Sequence, residues 1–298
     1  METTAHRARS PERAVRAVPG QQAAWLLMLP ALLLLGVFFV TPYLYLLYVS
    51  FMTHTTGAPY RQEFTFDNYL ETVRDPFNWR IIWQTLRFGF VTSLVTLVLS
   101  YPLAYHMTRA SSRIKGLLMI MLLSPLLVGI VVRSYGWMIL LADQGLINQA
   151  ITGLGLGSVQ LMYNETGVMI GLIHIYMPFM VLSLLGSLQA IDPDLERAAR
   201  SLGAGTWQTL RRVTWPLSLP GVASGTVLVF VLTVSAYVIP SLLGGYRVLT
   251  LPLLVVQTVE ELFNWPAGSA MAIVFFVITI AIVATYLKLM DRAMRGVA

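Results

Sequence analysis

TGVMIGLIHIYMPFMVLSLLGSLQAI, residues 166–191, runs without an aspartate, glutamate, lysine or arginine. A bilayer core is crossed by roughly 20 apolar residues, and hydrocarbon offers the backbone no water to bond, so an uninterrupted run of this length predicts a transmembrane helix. The whole chain agrees with that segment. Of its 298 residues 56% are hydrophobic and 11% charged, against about 25% charged in soluble domains.

Working outward, five further stretches meet the same test. They are 25–48, 88–108, 116–142 with Arg133 inside it, the 220–243 part of a longer uncharged run, and 262–287. The expectation is an all-α membrane protein of six transmembrane helices. A basic segment, 1–24, precedes a membrane domain at 25–290, and a tail at 291–298 follows it. The first apolar run is too long for a signal-peptide core and lacks a clear small-residue cleavage site, so it reads as a retained helix, with kinks or an end near Pro30 and Pro42.

Charge sets the orientation. Arg7, Arg9, Arg13, Arg16, Arg109, Arg113, Lys115, Arg197, Arg200, Arg211, Arg212, Lys288, Arg292 and Arg295 fall on one side, against Arg61, Arg74, Arg80 and Arg247 on the other. Positively charged loops stay inside, so both termini are expected in the cytoplasm of a bacterium, with the chain multi-pass in the inner membrane. The opposite loops collect Glu63, Asp67, Glu71, Asp75, Asp143, Glu165, Glu260 and Glu261, a weakly cation-favouring field. The net charge of +6 therefore reflects retained loops and not nucleic-acid binding.

Several chemistries are disfavoured. Cysteine is absent, which removes thiol catalysis and thiolate metal ligation. His6, His54, His106 and His174 show no zinc-pair spacing, and no cofactor is expected. The lysines, Lys115 and Lys288, precede Gly116 and Leu289, so no phosphate-binding Gly-Lys-Ser/Thr loop exists. An intramembrane hydrolase would need a paired nucleophile and base, and Ser183 lies nine residues from His174 on one helix. An ion-driven carrier would need carboxylates within the spans, and none falls within the six cores.

The fourth span leads into IDPDLERAARSLGAGTWQTLRRVTWPLSLPG, residues 191–221. Asp192 is placed to cap a helix that Pro193 begins. Leu195, Ala198, Ala199 and Leu202 form one apolar stripe, and Glu196 with Arg200 is spaced for a surface ion pair. Gly203 is placed to end the helix, Thr206 to cap a second one starting at Trp207, and Pro216 and Pro220 to return the chain to the membrane.

The run Arg197-Ala198-Ala199, then Gly203, Val213 and Pro216, resembles the signature loop of permease subunits of ATP-binding-cassette importers. That loop begins Glu-Ala-Ala. Here arginine stands first and Glu196 lies one residue earlier, so the family's glutamate salt bridge does not carry over. The resemblance implies a type I importer permease fold whose loop at 192–216, with Glu196, Arg197, Ala198, Ala199, Gly203 and Pro216, couples to an ATPase at a coupling helix between spans four and five. It implies as partners a second permease, two ATPase subunits that bind ATP and Mg, and an extracytoplasmic solute-binding protein, in contact with lipid. The chain itself is then not an enzyme.

Arg133 is the one charge well inside a span, at an insertion cost of roughly 2.5–3.5 kcal/mol. It lines a path, snorkels to the interface or locks two helices. The surrounding VRSYGWMILLADQGLIN, residues 132–148, with Tyr163-Asn164-Glu165, resembles the spermidine/putrescine branch of these permeases. A translocation path is expected at Arg133, Tyr135, Trp137, Asp143 and Tyr237, with His174, Tyr176, Pro178 and Pro240 secondary. The solute would be polyamine-like or another small nitrogenous compound.

Overall fold

The computed structural model describes residues 21–295, and for 21–27 the backbone alone. Arg7, Arg9, Arg13 and Arg16 lie outside the described residues. The described residues fall into two compact units, 21–48 and 49–295. The first contains nearly all of helix α1, Gln21–Val49, which runs through Pro30 and Pro42 without ending.

The second unit opens with a small antiparallel pair, β1 (Met52–Thr53) and β2 (Arg61–Phe64). Helix α2, Asp67–Arg74, is fastened to this entry because the buried Asn68 amide donates to the carbonyls of Ser50 and Met52, at 3.0 and 2.8 Å. Asp75 then accepts from Phe77 N at 2.8 Å and Pro76 starts the long α3, Pro76–Arg109, the proline N–H being dispensable there.

The expected third span is broken. It comprises α4 (Ser112–Leu123), a 3₁₀ turn at Ser124–Leu127 and α5 (Ile130–Leu141), with α6 (Leu146–Gly153) after a short turn. Pro125 sits in the first turn of the 3₁₀ segment, and Val128 is extended, which interrupts the α-helical ladder. Helix α7, Glu165–Gln189, is unbroken despite Pro178. Next come α8 (Pro193–Ser201), α9 (Thr206–Thr209), a π turn at Leu210–Thr214, α10 (Trp215–Leu217) and α11 (Leu219–Val234).

The fifth span was expected to reach residue 243. It stops at Val234. Pro240 begins a separate π turn ending at Gly244, and Pro252 lies in the first turn of α12, Leu251–Glu260. A proline is harmless in a first helical turn and disruptive later, so each restarts the chain in a new direction. The bend is 81°. Helix α13, Trp265–Arg295, completes the described chain, so 291–295 continue a helix. Among the described residues five helices are long and apolar enough to cross a membrane, and two bent pairs extend the count to seven.

Helices α3, α7 and α11 form the centre. Phe88 and Met107 from α3, Leu172, Ile175, Met180 and Leu184 from α7 and Val229 from α11 are buried together. Gly221 and Gly225 let α11 lie close on α7. A β-carbon at Gly221 would stand 2.5 Å from Ser187 Cβ and 2.9 Å from the Ser183 carbonyl, and one at Gly225 would stand 2.7 Å from Met180 Sδ. Small residues four apart allow this approach, which apolar burial alone cannot drive in lipid. At the other end of α3, Thr85 Oγ1 accepts from Leu251 N at 2.8 Å, satisfying an N–H that opens α12.

Gly221→Val should therefore lower the thermal midpoint of the purified protein in detergent by several degrees, since overpacking costs about 1–3 kcal/mol. Gly186→Ala should leave it unchanged, because a β-carbon there meets nothing within 4 Å. Equal midpoints for the two variants would exclude this contact as a determinant of packing.

Candidate functional site

The loop between α7 and α11 is built by local chemistry. Asp192 Oδ1 accepts from Asp194 N at 2.9 Å and Pro193 occupies the first helical position. At the far end Gly203 adopts φ +87°, its N–H donates to Arg200 O at 2.9 Å and Ala204 N donates to Ala199 O at 3.1 Å. This is a Schellman closure, in which a side chain at the left-handed position would be strained. Gly205, and not Thr206, is the cap residue of α9, and no side chain bonds there.

Glu196 departs from its expected place. Instead of pairing with Arg200 on the surface it is buried, where its carboxylate accepts from the Arg109 guanidinium and from Thr214 Oγ1, the latter at 2.7 Å. Arg109 ends α3, lies 3.6 Å above the Tyr105 ring and also donates to Thr108 Oγ1 at 2.8 Å. The exposed pair on α8 is Arg197 with Asp194, at 2.7 Å. One turn deeper, Tyr101 hydroxyl and Ser218 Oγ are 2.9 Å apart and the Tyr101 and Trp215 rings pack at 4.9 Å. The loop is thus clasped to α3 at two levels. Arg109, Thr214, Tyr101 and Ser218 were missed from sequence, where the available sign was an arginine closing one span and an unmatched glutamate after another.

The clasp turns the helix over. The Glu196 carboxylate faces inward while the apolar stripe faces out, with Leu195 47% and Leu202 89% exposed and Trp207 72% exposed beyond the elbow. Ala198 is exposed, and Ala199 and Pro216 are half-buried. Beside the clasp lies a cleft of about 330 Å³, lined in part by Arg109, Leu188, Glu196, Arg197 and Arg200.

Deeper in the bundle, α5 brings Arg133 and Trp137 towards α7. Trp137 Nε1 donates to His174 Nδ1 at 3.1 Å, with the rings edge to face at 5.1 Å. Tyr176 and His174 lie within electrostatic reach of Arg133, whose buried Nε and Nη1 have no hydrogen-bond partner. Tyr135, two residues from Arg133, is exposed. Asp143 is exposed in the turn after α5, and Tyr237 lies 40% exposed at the break after α11. Among the described residues no hydrogen bond or ion pair joins Tyr135, Asp143 or Tyr237 to Arg133. Glu165, expected to assist a cation, is instead paired with Arg87 of α3, beside Asn164, which caps α7 through a 2.9 Å bond from Gly167 N.

The family described as "Binding-protein-dependent transport system inner membrane component" matches residues 96–296. The spermidine/putrescine transport system permease protein PotB of Escherichia coli (strain K12) is 30% identical, over 82% of this chain and 89% of its own length. PotB of Haemophilus influenzae is 31% identical, over 86% and 91% respectively. A solved bacterial ABC transporter that imports alginate shares the fold at a TM-score of 0.76, with 18% identity over 91% of this chain and 96% of its own.

Glu196→Gln leaves the Arg109 side chain, 35% exposed, without its counter-ion and weakens the clasp. Hydrogen exchange across 193–214 should accelerate about tenfold, equivalent to about 1.4 kcal/mol. Arg197→Gln, which breaks an exposed pair of little worth, should leave exchange unchanged. Identical exchange in the two variants would mean that the clasp does not hold the loop.

Proposed function

The chain belongs to the family of inner-membrane components of binding-protein-dependent transport systems, and on that premise we propose that it is the permease subunit of an ATP-driven importer for polyamine-like or other small nitrogenous solutes. The observation that carries this reading is α8 itself, a helix whose carboxylate is clasped inward and whose apolar stripe is left uncovered. Such a helix is made to seat in another protein and to pass its displacement to α3 through Arg109.

In this reading two ATPase subunits bind ATP and Mg, and a second permease completes the path. An extracytoplasmic protein delivers the solute, both termini face the cytoplasm, and lipid surrounds the spans without any nucleic acid partner. ATP draws the ATPases together. The motion enters at Glu196, Arg197, Ala198, Ala199, Gly203 and Pro216, and reaches α3 through Arg109 and Tyr101. The bundle then exchanges inward-open for outward-open, each ligand biasing the balance only by its differential affinity for the two states. The polyamine assignment is supported by the names of the relatives at 30–31% identity. Asp143 is exposed to receive a cationic group, whereas Glu165 is already neutralised by Arg87. Arg133, Tyr135, Trp137, Asp143 and Tyr237 are assigned to the path.

Three results are expected. Gly203→Asp, in the assembled transporter, should abolish stimulation of ATP hydrolysis by loaded binding protein while membrane insertion stays normal, and the purified chain alone should hydrolyse no ATP. Normal stimulation would remove Gly203 from the coupling element. Arg133→Cys, made on this cysteine-free chain, should be labelled by a water-soluble thiol reagent in one of the ATP-bound and ATP-free states. Protection in both would exclude Arg133 from the path.

A further inference from the structure

The surface that α8 and the following turn present is cationic. Arg197, Arg200, Arg211 and Arg212 are exposed, while the glutamate of the same stretch is withdrawn into the clasp. Arg197 has Asp194, but among the described residues no carboxylate pairs with Arg200, Arg211 or Arg212. Asp192 has one oxygen engaged in capping. Leu195, Leu202 and Trp207 stand exposed among these charges. The cleft of about 330 Å³ beside α8 is rimmed by Arg109, Arg197 and Arg200, with Glu196 already paired.

We propose that this surface docks a groove of the ATPase with an apolar floor and a rim of aspartate and glutamate, one carboxylate of which enters the cleft to meet Arg200. The proposal rests on the coupling reading above and adds the chemistry of the partner. Charge complementarity across an interface sets register and rejects wrong partners, and here the unpaired charges beyond the first turn of α8, on Arg200, Arg211 and Arg212, are all positive. An anionic lipid surface would satisfy the arginines as well, but it fits the rest of the helix poorly. Between Leu195 and Leu202 the stripe holds only alanines, whereas helices that lie in lipid headgroups bury bulky side chains along their length. A shaped protein groove accommodates so shallow a face.

Leu202→Cys provides a probe at the exposed cap residue that ends α8, on a chain without native cysteine. The labelled full chain, with its second permease, is placed in phosphatidylcholine nanodiscs, and its cognate ATPase is titrated while bimane emission is read. The emission should shift to the blue and saturate. The apparent Kd should rise about tenfold in Arg197→Glu/Arg200→Glu and stay within about threefold in Arg197→Lys/Arg200→Lys, as charge pairing requires. In the wild type it should also weaken as salt is raised. Both variant pairs replace exposed side chains, and monodisperse elution confirms their folding. An unchanged Kd in the charge-reversed variant would overturn the acidic rim and leave ATPase docking standing. The absence of any shift with ATPase would overturn the docking reading and the proposal together. A blue shift produced by phosphatidylglycerol nanodiscs alone, and unaltered by ATPase, would identify lipid as the occupant and overturn the proposal.

Discussion

A carboxylate taken out of water keeps its charge only where cations and donors replace the lost hydration, and Glu196 meets that condition through Arg109 and Thr214. The three groups belong to α8, to the end of α3 and to the π turn leading towards α11. Their meeting decides which face of α8 is hidden. With the glutamate inward, a helix that by composition would lie with Leu195 and Leu202 against its own protein shows them to the outside. The surface offered to a partner is therefore a consequence of one internal ion pair.

The same end of the molecule shows how the clasp is kept stiff. Arg109 is a planar donor held from below by the Tyr105 ring and from the side by Thr108, which preorganises its fork for a carboxylate. The Tyr101–Ser218 bond and the Tyr101–Trp215 packing repeat the connection one helical turn deeper. Close seating of α11 on α7 at Gly221 and Gly225 continues it into the bundle. From α8 to the bundle the contacts thus run through ion pairing, aromatic packing and close backbone approach in succession.

The charges of Arg87, Glu165 and Arg133 divide in a similar way. Arg87 and Glu165 neutralise one another between α3 and α7. Arg133 has no such partner among the described residues, yet lies near aromatic and imidazole groups of α7.

What the sequence determined by itself follows from local rules. Uncharged runs long enough for a bilayer must be helices because hydrocarbon leaves the backbone no other partner, and Asp192, Pro193 and Gly203 act within a few bonds of themselves. The helical nature, the elbow at Gly203 and the family resemblance of the loop were all legible on that basis. The length of a span was less so. Apolar composition continues past Val234 and through 124–129, and whether a proline there ends a helix or sits inside one, as Pro178 does in α7, depends on what packs around it. Pairings of distant residues were not legible at all. Glu196 has Arg200 four residues away and Arg109 eighty-seven residues away, and sequence spacing favours the near one. Only the tertiary structure, which brings the end of α3 under α8 and makes burial with two partners more favourable than an exposed pair in water, decided for Arg109.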